Sequence, residues 1–287
     1  MKIGVSTTDF KQAPADALFG KISGFGFGVI QLSLANISES NFSGDGAFEI
    51  PETIDRALME NIAAAALRRR LTIAAVNGTY NMAHPDRRVR AEGARRFGIL
   101  AEAVGFTGCR LVTLCSGTRN TNRLWAAHPE NGSEGAWADM MESMKRLADT
   151  AERFGLTLAV ETEASNIIDT PAKARRALDE TGSGRFGMIM DCANLFRPGE
   201  AKKPNVDARI AEAFKLFGDR VVLAHGKDVA ESDGLDFCAA GEGIVNFNLF
   251  LELLGKYGYS GDMILHGIKN EAKMPAALAF MKKCAGV

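Results

Sequence analysis

The stretch LTLAVETEASNIIDTPAKARRALDETGSGRFGMIMD (156–191) contains a complete strand–helix–strand unit. LTLAVE (156–161) and GMIMD (187–191) are short apolar runs, each ending in a carboxylate. Continuous apolarity implies burial on both faces, the habit of parallel strands covered by helices. Between them, Thr170 reads as a helix N-cap and Pro171 as the first position of a helix over 171–180. The same alternation runs outward in both directions. KIGVST (2–7), GVIQLSL (28–34), LTIAAV (71–76), RLVTLC (110–115), VVLAH (221–225) and MILH (263–266) read as further strands. Helical patterns occupy 52–69, 87–103, 136–154, 206–217, 247–257 and 275–284. Pro51 suits a first helical position, and Gly105, Gly155, Gly218 and Gly258 suit left-handed helix ends. Eight strands spaced by about 37 residues predict an α/β chain folded as a (β/α)8 TIM barrel. No linker or charge block divides the chain, so residues 1–287 read as one domain. A doubly wound open sheet is disfavoured because no G-x-G-x-x-G follows the first strand.

Composition removes several function classes. The chain is 46% hydrophobic and 24% charged, which places it among ordinary globular proteins. Lys plus Arg number 34 against 35 Asp plus Glu, and a net charge of −1 argues against a nucleic-acid or anionic-membrane partner. Cysteines 109, 115, 192, 238 and 284 form no C-x-x-C and suit a reducing compartment. MKIGVSTTDF lacks the apolar segment of a secretory signal, and no apolar run approaches the ~18 residues of a membrane span. A cytoplasmic location is expected, and homo-oligomerisation stays open.

A parallel barrel places its chemistry at the carboxyl ends of its strands. Glu161, Asp191, His225 and His266 end four consecutive strands. Period-two alternation turns all four toward the axis if Ala159, Ile189, Leu223 and Ile264 line the interior. Two carboxylates and two imidazoles at equivalent heights predict a divalent-metal set, with Mn²⁺ or Zn²⁺ preferred and Co²⁺ or Fe²⁺ open. The alternative for each residue alone is a polar strand-end cap. The two remaining histidines, His84 and His128, fall in the loops after the third and fourth strands, on the same rim.

The runs LAVE, MIMD, LAHGKD and GEGIVNFNLFLELLGKYGYSGDMILH, ending at His266, resemble the second half of the xylose isomerase-like barrels. NGTYNMAHPD and CSGTRN with a following HPEN resemble a group of sugar phosphate isomerases and epimerases within them. The resemblance implies metal ligands Glu, Asp, His and Glu on strands five to eight. Glu161, Asp191 and His225 match the first three, while His266 stands where Glu is usual. Asn194 stands where His often follows the strand-six Asp. In such epimerases two glutamates exchange protons at carbon on either side of a ketose whose carbonyl the metal polarises. With His266 in place of the second Glu, Glu161 remains the base, and Glu163, His266 or a water becomes its partner.

Further rim residues complete the expectation. Lys227 shares strand parity with His225 and is a candidate for a substrate oxyanion or phosphate, against the alternative of a solvated lysine. Arg119 can hold an anion through its planar fork. His84, Asn81, His128, Glu163 and Asn194 join the substrate-binding set, although Asn77 and Asn81 equally suit turns. Trp125 and Tyr80 are candidate walls for a sugar face, and Asp228 a candidate to steady His225. GEG (241–243) lacks a phosphate-loop spacing and reads as a turn before a helix beginning near Asn246. Arg68 to Arg70 read as a solvated helix end, and Cys115 and Cys192 as buried thiols without a base.

The function expected is a metal-dependent isomerase or epimerase of a small sugar or sugar derivative, phosphorylated or not. Glu161 and His266 are its catalytic pair, and Glu161, Asp191, His225 and His266 its ligands. The alternatives are a dehydratase of a polyol or inosose, an endonuclease IV-like nuclease, and a sugar-binding barrel without catalysis. The nuclease needs more histidines and a basic face than four His and net charge −1 provide.

Overall fold

In the computed structural model, which describes residues 1–42 and 46–287, eight parallel strands close into a barrel. They are β1 (Ile3–Ser6), β2 (Val29–Leu32), β3 (Thr72–Asn77), β4 (Leu111–Cys115), β5 (Thr157–Glu161), β6 (Phe186–Asp191), β7 (Val221–Val229) and β9 (Met263–Leu265). Each barrel strand pairs with its chain neighbour, and β9 pairs with β1 to close the ring. All eight expected strands are present within a residue or two, except that β7 continues past His225. Its last three residues pair antiparallel with β8 (Phe237–Ala239), a short strand the sequence pattern did not mark.

Among the described residues, α1 (Ala15–Gly24), α2 (Arg56–Arg68), α3 (Arg87–Val104), α4 (Glu134–Phe154), α5 (Pro171–Thr181), α6 (Lys203–Phe217), α7 (Phe247–Lys256) and α8 (Met274–Ala285) surround the barrel. α1 gave no sequence signal because Gly20 and Gly24 dilute a ten-residue helix; it is held by burying Leu18, Phe19 and Ile22. Thr170 does cap α5, its side chain accepting the Lys173 N–H, with Pro171 at the first position. Pro51 does not start a helix: α2 begins at Arg56 under an Asp55 cap. Gly155 ends α4 in the left-handed region, and Gly258 adopts it just past α7. Gly105 and Gly218 instead keep right-handed φ near −55° and −58°, because each helix tightens into a 3-10 turn there. None of the described helices is long and apolar enough to cross a membrane.

Val29, Ala75, Ala159, Ile189, Leu223 and Ile264 pack together as an apolar plug inside the barrel. Each barrel side chain two residues later rises above that plug, toward the carboxyl mouth. The plug is thus the floor on which the polar residues stand.

Candidate active site

Above the plug opens a cavity of about 960 Å³, lined by residues from every barrel strand except β1 and β9 and by the loops that follow those two. Glu161, Asp191 and His225 lie at its base, each offering one ligand atom within 4.8 Å of the others. Asp191 is fully buried; its Oδ1 accepts the Ala193 N–H at 2.9 Å and the Asn194 N–H at 3.3 Å. Its Oδ2 has no hydrogen bond, with the Lys227 Nζ 3.3 Å away. His225 Nδ1 sits 3.1 Å from Glu161 Oε1 and 3.8 Å from Asp191 Oδ2. On its other side Nε2 sits 2.8 Å from Gln31 Oε1, and Gln31 Nε2 donates to Thr113 Oγ1 at 3.4 Å. The amide is therefore oriented to accept from Nε2–H, which leaves Nδ1 as the nitrogen that faces the carboxylates.

The charges are balanced tightly. Burial would depress the His225 imidazole, but Glu161 and Asp191 outweigh it and hold it up at about 9. Burial alone would raise Asp191, yet Lys227, followed by His225, keeps it well below the usual carboxylate range. Lys227 is likewise buried, and Asp191, Glu161 and Glu163 keep its ammonium charged. Asn194 ties these groups together, donating to Glu161 Oε1 at 3.0 Å and accepting from Lys227 Nζ at 2.6 Å. The Phe237 ring covers Lys227 at 4.0 Å, a cation–π contact that β8 provides. Gly267, at φ +78°, leaves room for the same lysine: a Cβ there would meet Lys227 Cδ at 2.9 Å.

His266 does not join the cluster. The expectation of equal heights fails because the barrel is sheared: Asp191 pairs with His225, but His225 pairs with Ile264 and Glu161 with Ile189. The registers climb by two residues at β5–β6 and again at β7–β9. Glu161 reaches up through its longer side chain, whereas His266 starts one step above His225. Its ring lies 5.5 Å from that of His225, and its Nδ1 faces Asp9 at 3.8 Å. Burial, with the positive charges of Lys227 and His225, pushes this imidazole down to about 3, so it is neutral.

The other expected residues divide sharply. Glu163, Asn194 and Lys227 line the cavity, with the Glu163 carboxyl raised chiefly by burial. Trp125 lines it too, 48% exposed, its indole N–H held by Glu49 at 2.8 Å. Arg119 does not line it: its guanidinium is spent on Asp139 of α4 at 2.6 Å and the Ala83 carbonyl at 3.0 Å. Asn81 is consumed in loop structure, accepting the Thr118 and Ala83 N–H groups. His84 Nδ1 accepts the Asp86 N–H, and His128 Nδ1 accepts the Glu130 N–H, so both serve the turns they begin. Tyr80 is fully buried against Gly93 rather than forming a wall. Asp228 turns away from His225 and gathers the N–H groups of Val229, Gly241, Gly243 and Val245, which makes GEG the turn that leads to α7. Cys115 and Cys192 are buried with their thiols pushed up by burial, which makes them poor nucleophiles.

Gln31, Asp9 and Glu49 are among the cavity residues that the sequence pattern did not mark. Gln31, two residues after the plug residue Val29, was legible: it is a polar side chain at interior parity in an apolar strand. Asp9, just beyond β1, carried only the hint of a strand-end carboxylate. Glu49, fixed by Asn77 Nδ2 at 2.6 Å and by Trp125, lies in the loop between β2 and α2 and gave no local signal.

Comparison with known proteins adds the family. The family model described as the xylose isomerase-like TIM barrel matches residues 22–284. The structure of 3-keto-D-glucoside 4-epimerase from E. coli, apo form, is similar with a TM-score of 0.73 and 19% identity, covering 99% of this chain and 100% of that one. That of a D-tagatose 3-epimerase-like protein is similar with a TM-score of 0.76 and 16% identity, over 100% and 97%. At such identities the likeness is one of fold. Inosose dehydratase from Lacticaseibacillus casei is 23% identical over 153 residues, 48% of this chain and 49% of that enzyme. The chain thus spans about half the length of this curated relative. With the family pattern extending over most of the sequence and the barrel closed as that pattern requires, the chain belongs to the xylose isomerase-like TIM barrel family.

Proposed function

We propose that this protein is a divalent-metal-dependent isomerase or epimerase that moves a carbon-bound proton on a small sugar or sugar derivative. The observation that carries the reading is the buried Glu161–Asp191–His225 cluster at the floor of a cavity roomy enough to admit a small sugar. The donor set fits a divalent cation: two carboxylates offset its charge, Asp191 Oδ2 has no hydrogen bond to lose, and His225 Nδ1 would ligate once the ion displaces its proton. Mn²⁺ or Zn²⁺ suits this mixture of imidazole and carboxylate. Bound there, such an ion would supply Lewis acidity toward a substrate carbonyl. The protein does the rest. Asn194 and His225 orient Glu161, whose carboxylate accepts the proton from carbon. Lys227 and Glu163 offer a donor and an acceptor to substrate oxygens. Trp125, held by Glu49, presents an aromatic face to the sugar ring. The sugar epimerases of similar fold and the partial likeness to inosose dehydratase support carbohydrate chemistry; the latter favours dehydration of an inosose as the second reading.

The test is exchange of carbon-bound protons with D2O, read by NMR, for a panel of ketoses with added Mn²⁺. Wild type should incorporate deuterium, and Glu161→Gln should lower that rate by about 10³-fold, within the range for removing a general base. Equal rates in the two proteins would end this assignment.

A further inference from the structure

Lys227 sits where a cation would meet the cluster, and the fold confines it there. It begins the antiparallel pairing of β7 with β8 opposite Ala239, and Phe237 is the diagonal neighbour on the same face. That hairpin brings the Phe237 ring to 4.0 Å from Nζ. From the loop after β9 the Gly267 backbone presses on the stem: a Cβ there would meet Cγ at 3.0 Å and Cδ at 2.9 Å. The residue is 4% exposed, so its ammonium cannot reach water by extending outward. It ends instead between Asn194 Oδ1 at 2.6 Å and Asp191 Oδ2 at 3.3 Å. That carboxylate oxygen has no hydrogen bond, and His225 Nδ1 lies 3.8 Å from it. A buried carboxylate or ammonium is strongly unfavourable alone, so each answers the burial of the other.

We propose that Lys227 is a resident counter-cation that sets how tightly the Glu161–Asp191–His225 site holds a divalent ion. This inference rests on the metal dependence in the proposed function. An ammonium and a dication draw on the same carboxylate oxygen, and in a water-poor site their like charges repel. In the metal-free protein the ammonium offsets Asp191 and keeps the ligands in place. In the loaded protein the same ammonium opposes the ion, so affinity falls below what the donor set alone would give. Phe237, Gly267 and Asn194 hold the lysine, so it cannot swing into solvent to relieve the repulsion. Asn194 also donates to Glu161 Oε1 at 3.0 Å, so a shift of the ammonium is felt at the second carboxylate ligand. The ion is thereby exchangeable, and occupancy follows the supply of free Mn²⁺ or Zn²⁺ rather than being fixed once at folding.

Calorimetric titration with Mn²⁺ near neutral pH compares wild type with Lys227→Met, which keeps the length of the stem and removes the charge. K227M should bind Mn²⁺ at least about tenfold more tightly. After EDTA treatment K227M should melt below wild type, because Asp191 has lost its offsetting charge, and saturating Mn²⁺ should close that gap. A lysine that merely packed the site would move affinity the other way, since damage to a ligand set weakens binding. Equal or weaker Mn²⁺ binding by folded K227M overturns the inference. EDTA-treated K227M that melts at or above wild type overturns it as well, since the ammonium would then not be what supports Asp191. Should K227M not fold without the ion, Lys227→Gln, which keeps a donor for Asn194, carries the same expectations. Wild type that binds neither Mn²⁺ nor Zn²⁺ overturns the proposed metal dependence and this inference with it. Tighter binding by K227M, in a protein that exchanges no ketose proton, supports this inference while overturning the proposed reaction.

Discussion

On the β5–β7 side of the mouth, Glu161, Asp191, His225 and Lys227 sit within 4 Å of one another in a chain of contacts, with Asn194 and Gln31 fixing the ends. On the β9–β1 side, Asp9 and His266 face each other at 3.8 Å without a hydrogen bond, and an atom of each is left unpartnered. Both sides are enclosed, so desolvation acts on both. What differs is compensation. The first side answers burial with opposite charges, which keeps Asp191, His225 and Lys227 ionised. The second answers it by neutrality: a raised carboxyl beside a depressed imidazole. Ionised carboxylates suit holding a cation, which would displace the His225 proton, whereas the second side offers no charge to hold one.

The contrast is open to direct attack. The largest effect is expected from Asp191→Asn on the charged side. Wild type should gain thermal stability with added Mn²⁺, by about 2.7 kcal/mol at a hundredfold excess over Kd, and D191N should show no such gain in a melting experiment. A Mn²⁺ response that survives D191N would show that the ion does not bind at this cluster.

The neutral side predicts a pH signature. Asp9 has a folded pKa near 7, above the ordinary value of 3.8, so the folded state holds its proton more tightly than the unfolded one. Its contribution to stability is complete below about pH 4 and is lost as pH rises through 7, an effect of at most about 4 kcal/mol. Metal-free wild type should therefore melt lower than D9N at pH 8, while the two converge or reverse at pH 4. Parallel melting curves across that window would remove the protonated carboxyl from the account.

The smallest functional effect is expected at Arg119, which joins neither side. Its guanidinium is 11% exposed and pairs with Asp139. Arg119→Ala should cost about 2 kcal/mol in denaturant unfolding, as for a largely buried charge-assisted bond, yet leave KM within about twofold. A large rise in KM would return Arg119 to the substrate-binding role that its loop position suggests.

His266 and Arg119 illustrate where the sequence stopped being sufficient. Strand parity turns His266 inward correctly, but parity carries no information on height. Barrel shear sets height, and shear emerges only when eight staves pair. Arg119 has a loop position and a chemistry that both suit an anion, but α4 supplies Asp139 from 20 residues away and consumes the charge. Glu49 reverses the case: no neighbour in sequence marks it, and Asn77 and Trp125 make it a cavity residue.

By itself the sequence determined the stave count, the strand positions and the inward parity of Glu161, Asp191 and His225. Those follow from local hydrophobic periodicity, which operates within a few residues of chain. Which of the rim groups meet, which are spent on the scaffold, and which stay neutral was decided only by the closed barrel. Distances across the mouth, partners from remote loops and the loss of water are properties of the assembled ring, and no single stave contains them.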